Sequence, residues 1–364
     1  MLNKEKEIII LTEQDIINTY NKKQQEQCRL YYQYKKIKQQ NPKFGYKRIA
    51  TLLKQPYGKT RWWHTNKHLP TPIQTINWLK EKELIPLTTK NTKLFLIAKL
   101  LGTTFGDGGI FTNLNAIFLS SSEINSIKEF EKDISLIFSK EITLNSRIIE
   151  GGEYGHSWCY QNTNRKVIRL FKALSAPIGK KSQITLKIPN WILTNQNLAD
   201  NFFSSFFGNE IGIPKIHKDN KRTDSLDLGL VCKKELLKNR INFLNSIKKY
   251  LESKGIEANS TYVFKHKQEK DKILIKLAIN LNFDNLMNFY KNINISYSNN
   301  KQNKLIKTLN DLKKLKLQRF NKLTNTLNAL TQQNYSKEWT RKNLRLTDKA
   351  LNFILKQEHL EKWN

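Results

Sequence analysis

The chain has 364 residues, with 63 Lys and Arg against 31 Asp and Glu, a formal charge of +32 and a pI near 9.9. At 10% aromatic residues it is too rich in rings for a disordered polyelectrolyte, and its length suits two or three folded domains with a surface made for a polyanion such as nucleic acid. Cys28, Cys159 and Cys232 lack CxxC spacing and disulfide density, no signal-peptide pattern opens the chain, and the longest apolar run, Leu94 to Phe105, holds Lys99 and is too short for a bilayer. These features exclude a secreted scaffold and a membrane partner. They place the protein in a reducing intracellular compartment: the cytoplasm or nucleoid of a prokaryote, or an organelle.

Residues 1–90 read as helical. One polar helix is expected from Glu13 to Lys38, ended by Asn41-Pro42. Tyr46 to Leu53 has apolar residues at helical spacing, Gln55-Pro56-Tyr57-Gly58 breaks it, and Lys59 to Asn66 forms a second short helix. Ile73 to Lys82 makes a third. A helix, a tight turn with Gly and a basic helix are the plan of a helix-turn-helix module, with Lys59, Arg61, Trp62 and His64 placed to meet DNA. A three-helix bundle with the Trp62–Trp63 pair in its core is the plainer alternative.

From Thr92 the pattern becomes helix, hairpin, helix, hairpin, helix. The elements are Leu94–Gly106, strands at 110–111 and 116–119, Glu123–Ser139, strands at Ile142–Ile149 and His156–Gln161, and Asn164–Ala173. The same order returns with Asn197–Asn209, strands at Gly212–Ile216 and Ser225–Val231, Lys234–Ser253, strands at Ser260–Lys265 and Ile273–Asn280, and Phe283–Asn292. This is an internal duplication. Trp158 and Trp191 read as core residues. The tail from Lys301 is helical and basic; Arg345-Leu346-Thr347-Asp348 fits either a wing-to-helix junction or a plain amphipathic helix.

The helix Leu94–Gly106 breaks a local rule. Gly102 and Gly106 together cost about 2 kcal/mol against Ala, so a second backbone is expected to approach that face. Asp107 follows at the negative end of the helix dipole, where a bound cation would offset its cost. In the second repeat Ser205, Asn209 and Glu210 fall where Gly102, Gly106 and Asp107 do, and the two acids lie 103 residues apart. Packing the helices about a pseudo-twofold axis brings the acids together, and close carboxylates need a positive partner. Mg²⁺, which takes few carboxylates and binds phosphate oxygens, suits that place and suits phosphodiester hydrolysis. No HxxxH, HxH or GxxxxGK[ST] motif points instead to zinc or to an NTPase.

LLGTTFGDGGI and FFSSFFGNEIG resemble the paired motifs of single-chain LAGLIDADG homing endonucleases. The stretches ALSAPIGKKSQITLKIPNWIL and NINISYSNNKQNKL are similar to those flanking the second motif and the second repeat in that family. The resemblance covers about 92–310. It implies an α+β fold: a pseudo-symmetric duplicated αββαββα core, with helical N-terminal and C-terminal extensions. The domains would be 1–90, 91–195, 196–310 and 311–364. It implies that Asp107 and Glu210 bind the metal, that Lys181 (with Lys180 as the fallback) and Lys301 assist near the scissile phosphates, and that the hairpins lie in the DNA major groove. Lys215, Lys218, Arg222, Lys265 and Lys267 are the contact candidates there. The implied function is Mg²⁺-dependent, site-specific cleavage of double-stranded DNA by a monomer. An inactive transcription regulator of the same fold and an intron RNA maturase are the alternatives.

Overall fold

In the computed structural model, residues 7–151, 156–217, 224–333, 335–346 and 351 are described. The N-terminal region opens with β1 (Ile9–Leu11), α1 (Glu13–Asn18) and α2 (Lys22–Gln40). The single helix expected over 13–38 is thus two. Thr12 and Asp15 close a capping box that starts α1, and the Asn21 side chain accepts from the Gln24 amide to start α2. Two strong N-caps within ten residues force a break at 19–21. Then come α3 (Tyr46–Leu53), α4 (Tyr57–His64), α5 (Thr71–Glu81) and β2 (Leu87–Thr88), which pairs antiparallel with β1. Helix α4 starts two residues before the expected Lys59, because Pro56 caps it with a suitable fixed φ. The tryptophan pair divides: Trp63 is buried edge-on against Tyr31 and Tyr34, while Trp62 is 51% exposed.

The first repeat runs α6 (Leu94–Phe105), β3 (Gly108–Ile110), β4 (Ile117–Ser121), α7 (Ile124–Phe138), β5 (Ser146–Glu150), β6 (Trp158–Asn162) and α8 (Arg165–Ala173). Residues 142–145, expected as strand, belong to a 3-10 turn, Lys140–Asn145. Ile142 is buried in that turn and its carbonyl accepts from the Asn162 side chain at 3.0 Å, so a core contact overrides the strand pattern. A linker with the short α9 (Asn190–Leu193) leads into the second repeat. This comprises α10 (Gln196–Glu210), β7 (Ile211–Gly212), β8 (Leu226–Lys233), α11 (Leu237–Ser253), β9 (Ala258–Lys265), β10 (Lys272–Ile279) and α12 (Phe283–Asn292).

The two sheets have the same wiring. Their orders are β3-β4-β6-β5 and β7-β8-β10-β9, with every pair antiparallel. Along β10, Ile273, Ile275, Leu277 and Ile279 are buried and the residues between them half-buried, so one face packs on helices and the other is partly open. The architecture is the α+β, duplicated αββαββα fold that the periodicity indicates. Trp158 and Trp191 lie partly buried against its core.

Both extensions are anchored. On the N-terminal side Trp78 stacks on Phe138, Arg169 of α8 lies over the Tyr20 ring, and Lys172 donates to Thr19 O at 3.0 Å. One continuous core runs from Leu11 to Leu309. After the second repeat come α13 (Asn299–Gln332) and α14 (Lys337–Asn343). The start of α13 is pinned by Leu305, Leu309 and a bond from Thr308 to Pro214 O, and its far end meets Leu344, Leu346 and Leu351 in a small separate cluster. The expected wing-to-helix junction falls partly on 347–350, outside the described residues. Among the described residues no helix is long and apolar enough to cross a membrane.

Candidate active site

Two helices with missing side chains make the site. A Cβ on Gly102 would lie 2.0 Å from Phe202 O and 2.4 Å from Ser205 Oγ, so α6 and α10 meet backbone to backbone. The Ser205 hydroxyl donates across the interface to Lys99 O. One turn on, a Cβ on Gly106 would lie 2.5 Å from Asn209 Cβ. The glycines that weaken α6 as an isolated helix are what allow this approach, as their spacing indicates. Phenylalanines 202, 203, 206 and 207 fill the space around the pair, and Phe105 meets Phe202 edge to face.

The helices end on the acids. Gly106 caps α6, Asp107 stands just past it, and Glu210 is the last residue of α10. Burial, and then the neighbouring Asp107 carboxylate, push the Glu210 carboxyl up to about 7. Burial also raises Asp107, against the pull of Lys181 and Lys301. Asp107 is exposed, whereas Glu210 is half-buried.

The lysines are placed alike. Lys181 Nζ donates to Gly106 O and, at 2.6 Å, to Gly108 O. Lys301 Nζ donates to Asn209 O. Each ammonium therefore sits on the carbonyl just before one acid, where it also satisfies the end of the helix dipole. Burial lowers both lysines, and both carboxylates oppose that shift. The structure thus brings together Asp107, Glu210, Lys181 and Lys301, all four candidates from the sequence. Lys180 is exposed beside the site, and Lys181 is the lysine turned into it.

Two residues that sequence reasoning missed also border the site. Arg240 of α11 is 1% exposed, and its Nη2 donates to Lys181 O at 2.8 Å and Ile184 O at 3.2 Å. Its signal was a charged residue at core spacing with Phe243, Leu244 and Ile247. Glu123, at the start of α7, accepts from Ser298 Oγ at 2.6 Å and from the Asn300 amide at 3.2 Å.

The DNA-contact candidates scatter. Arg61 and Trp62 face solvent on α4, whereas Lys59 turns inward to Gln55 Oε1 and the Trp63 ring, and His64 Nδ1 bonds the Tyr34 hydroxyl at 2.9 Å. Lys215 is exposed; Lys218 and Arg222 lie outside the described residues. Lys265 and Lys267 line an open groove of about 820 Å³ on the second sheet, with Tyr262, Phe264 and Lys276. A matching groove of about 790 Å³ on the first sheet holds Phe111, Arg147, Gln161 and Arg165.

Among the described residues no group of three or more His, Cys, Asp or Glu side chains could hold a metal ion. Two carboxylates facing two lysines do fit a cation of the Mg²⁺ type, which binds through one or two carboxylates and completes its shell with water and substrate phosphates.

No family model matches the sequence. Over 285 residues the chain is 28% identical to the DNA-directed RNA polymerase subunit Rpo1N of Methanocaldococcus jannaschii, covering 74% of this chain and 21% of that protein. It is 32% identical over 245 residues to the tRNA-splicing ligase RtcB of the same organism, covering 63% of this chain and 25% of that protein. The chain thus spans about a fifth to a quarter of the length of the curated relatives it matches. Among solved structures, the homing endonuclease I-DmoI bound to its target DNA in the presence of Mn is similar at TM-score 0.35 and 15% identity, over 56% of this chain and 95% of that one.

Proposed function

We propose that this chain is a divalent-metal-dependent endonuclease that cuts double-stranded DNA at a long, asymmetric site. The observation that carries the reading is the pair of carboxylates at the ends of two apposed helices, each with a lysine on the preceding carbonyl. The ligase and polymerase names do not compete with it. The matched stretches, 74% and 63% of the chain, overlap over at least about a third of it, and that shared part is common to a polymerase subunit and a ligase, which speaks against its carrying the chemistry of either. A module carried within unrelated proteins explains both matches. The regulator alternative leaves the two acids and two lysines without a task.

On this reading residues 91–195 and 196–310 form the nuclease core, 1–90 adds a DNA-binding module through Arg61 and Trp62, and 311–364 is a basic extension. The open sheet grooves take the duplex, and the chain's net charge draws it in. Asp107 and Glu210, ionised, would hold the cation, whose chemistry there would be Lewis-acid polarisation of a phosphate oxygen and a lowered pKa of water. Lys181 and Lys301 keep positive charge beside the phosphates as negative charge builds on their oxygens. Water adds to phosphorus and gives one proton to solvent, the P–O bond to the leaving sugar oxygen breaks, and that oxygen takes up one proton from solvent.

Selection from a randomised duplex library in Mg²⁺ tests this. The parent should enrich one long asymmetric site, while Asp107→Asn and Glu210→Gln should bind that site within about tenfold, a change of about 1.4 kcal/mol, and cut none of it. Cleavage by either variant near the parent rate would remove the assignment.

A further inference from the structure

Each catalytic lysine candidate is gripped from behind by the opposite repeat. Lys181 lies in the linker after the first repeat and reaches the first motif, but its backbone is held by α11 of the second. Arg240 Nη2 takes both Lys181 O and Ile184 O, and Asn239 bonds the Leu186 amide and carbonyl at 2.9 and 3.1 Å. Lys301 follows the second repeat and reaches the second motif. There the backbone is held by Glu123 of the first repeat, through Ser298 and the Asn300 amide at the start of α13.

Arg240 is an expensive way to fill its position. Its Nε and Nη1 find no oxygen acceptor among the described residues, and the soft sulfur of Cys232 lies beside the group. A buried guanidinium left partly unsatisfied carries a desolvation penalty that an apolar residue beside Phe243 and Leu244 would avoid. Stability does not explain it. Its two carbonyl acceptors are the ends of the turn that carries Lys181, and a planar fork fixes such a turn as no alkyl chain can. Glu123 acts in the opposite chemical sense, as an anion at the positive N-terminal end of α13.

We propose that Arg240 and Glu123 are crossed positioning residues: Arg240 in the second repeat fixes Lys181, and Glu123 in the first repeat fixes Lys301. Neither lysine is then in place until the two repeats have docked. The two halves of the site are set by groups of opposite charge, so each can be disturbed alone.

Trace acetylation of the full chain at one pH, without metal or DNA and read by peptide mass spectrometry, tests this whatever the protein's activity. Arg240→Lys, which keeps the charge and loses the fork, should speed labelling of Lys181 about tenfold and leave Lys301 unchanged; Glu123→Asp, which keeps the charge and shortens the reach, should do the reverse. If Arg240→Lys does not fold, Asn239→Ala, which releases Leu186 in the same linker without changing charge, should shift Lys181 in the same direction. Equal acceleration at both lysines, or none at the expected one, overturns the proposal. A second arm rests on the nuclease reading: each variant should accumulate duplex nicked in one strand, and the two variants in different strands. Equal slowing of both strands counts against the crossed clamp, whereas a parent chain that cuts no duplex counts against the nuclease reading and leaves the labelling to decide.

Discussion

The two helices that meet at the centre of the molecule end differently. Helix α6 stops at Phe105, Gly106 turns the chain, and the short acid Asp107 stands outside the helix. Helix α10 runs on through the longer acid Glu210 and passes straight into β7. Opposite Gly106 stands Asn209, whose Cβ fills the space a second side chain would need. Yet each carboxylate feels the same two lysines, and each lysine sits on the carbonyl before an acid. The duplication has kept an arrangement of charge and let the residues that build it diverge. Complementarity across the interface, a glycine facing a serine and another facing an asparagine, takes the place of identity.

Breaking the interface tests that comparison most severely. Gly102→Val would drive a side chain into Phe202 O across the interface; Gly208→Val, a control within the second repeat, would drive one into Ser296 O, where a Cβ would lie at 1.8 Å. Both clashes are with backbone, so we expect losses above ~3 kcal/mol, seen as failure to fold or a collapsed denaturation midpoint. Gly106→Ala meets the Asn209 side chain first and should cost about 1–3 kcal/mol, with Asn209→Gly relieving much of it in a double-mutant cycle. Without relief, the two positions are not complementary.

A smaller effect separates the acids. Glu210 is raised from 4.5 to about 7, so between those values the folded chain binds more protons than the unfolded one. Stability is therefore greatest below that window and falls as pH rises through it. Glu210→Gln should flatten this fall in melting temperature between pH 4.5 and 7.5. Asp107→Asn should flatten it less, because Asp107 stays in contact with water. Equal flattening would mean that the acids share one environment. For the cation the sign is opposite: the acids must be ionised to hold it, so Mn²⁺ should bind the metal-free chain more tightly as pH rises towards about 7.

The smallest effects belong to the surface. Removing one lysine from the second sheet groove, as in Lys265→Ala, should weaken binding to all duplexes alike and reduce the salt slope by about 0.9, one phosphate contact. Lys59→Ala should leave that slope alone, since Lys59 turns onto Gln55 and Trp63.

Much of the centre was legible in the sequence because it rests on spacing. Two glycines four residues apart and two acids one repeat apart required no long-range geometry to find, whereas Lys181 and Lys301 came only from the family resemblance. The break at 19–21 was hidden because α1 and α2 share one polar composition and only caps divide them. The split of Trp62 from Trp63 depends on which face of α4 meets Tyr31 and Tyr34. Arg240 shows the same limit. Its place in an apolar stripe was visible, but its acceptors lie more than 50 residues away in the linker.

The central claim is that two unlike acids serve one cation, and Mn²⁺ binding measured by water-proton relaxation, with random duplex DNA present, tests it most directly. The full chain should show a relaxation enhancement that both Asp107→Asn and Glu210→Gln abolish while remaining folded. If either variant bound Mn²⁺ as tightly as the parent, the acids would not be partners and the pairing across α6 and α10 would have no chemical purpose.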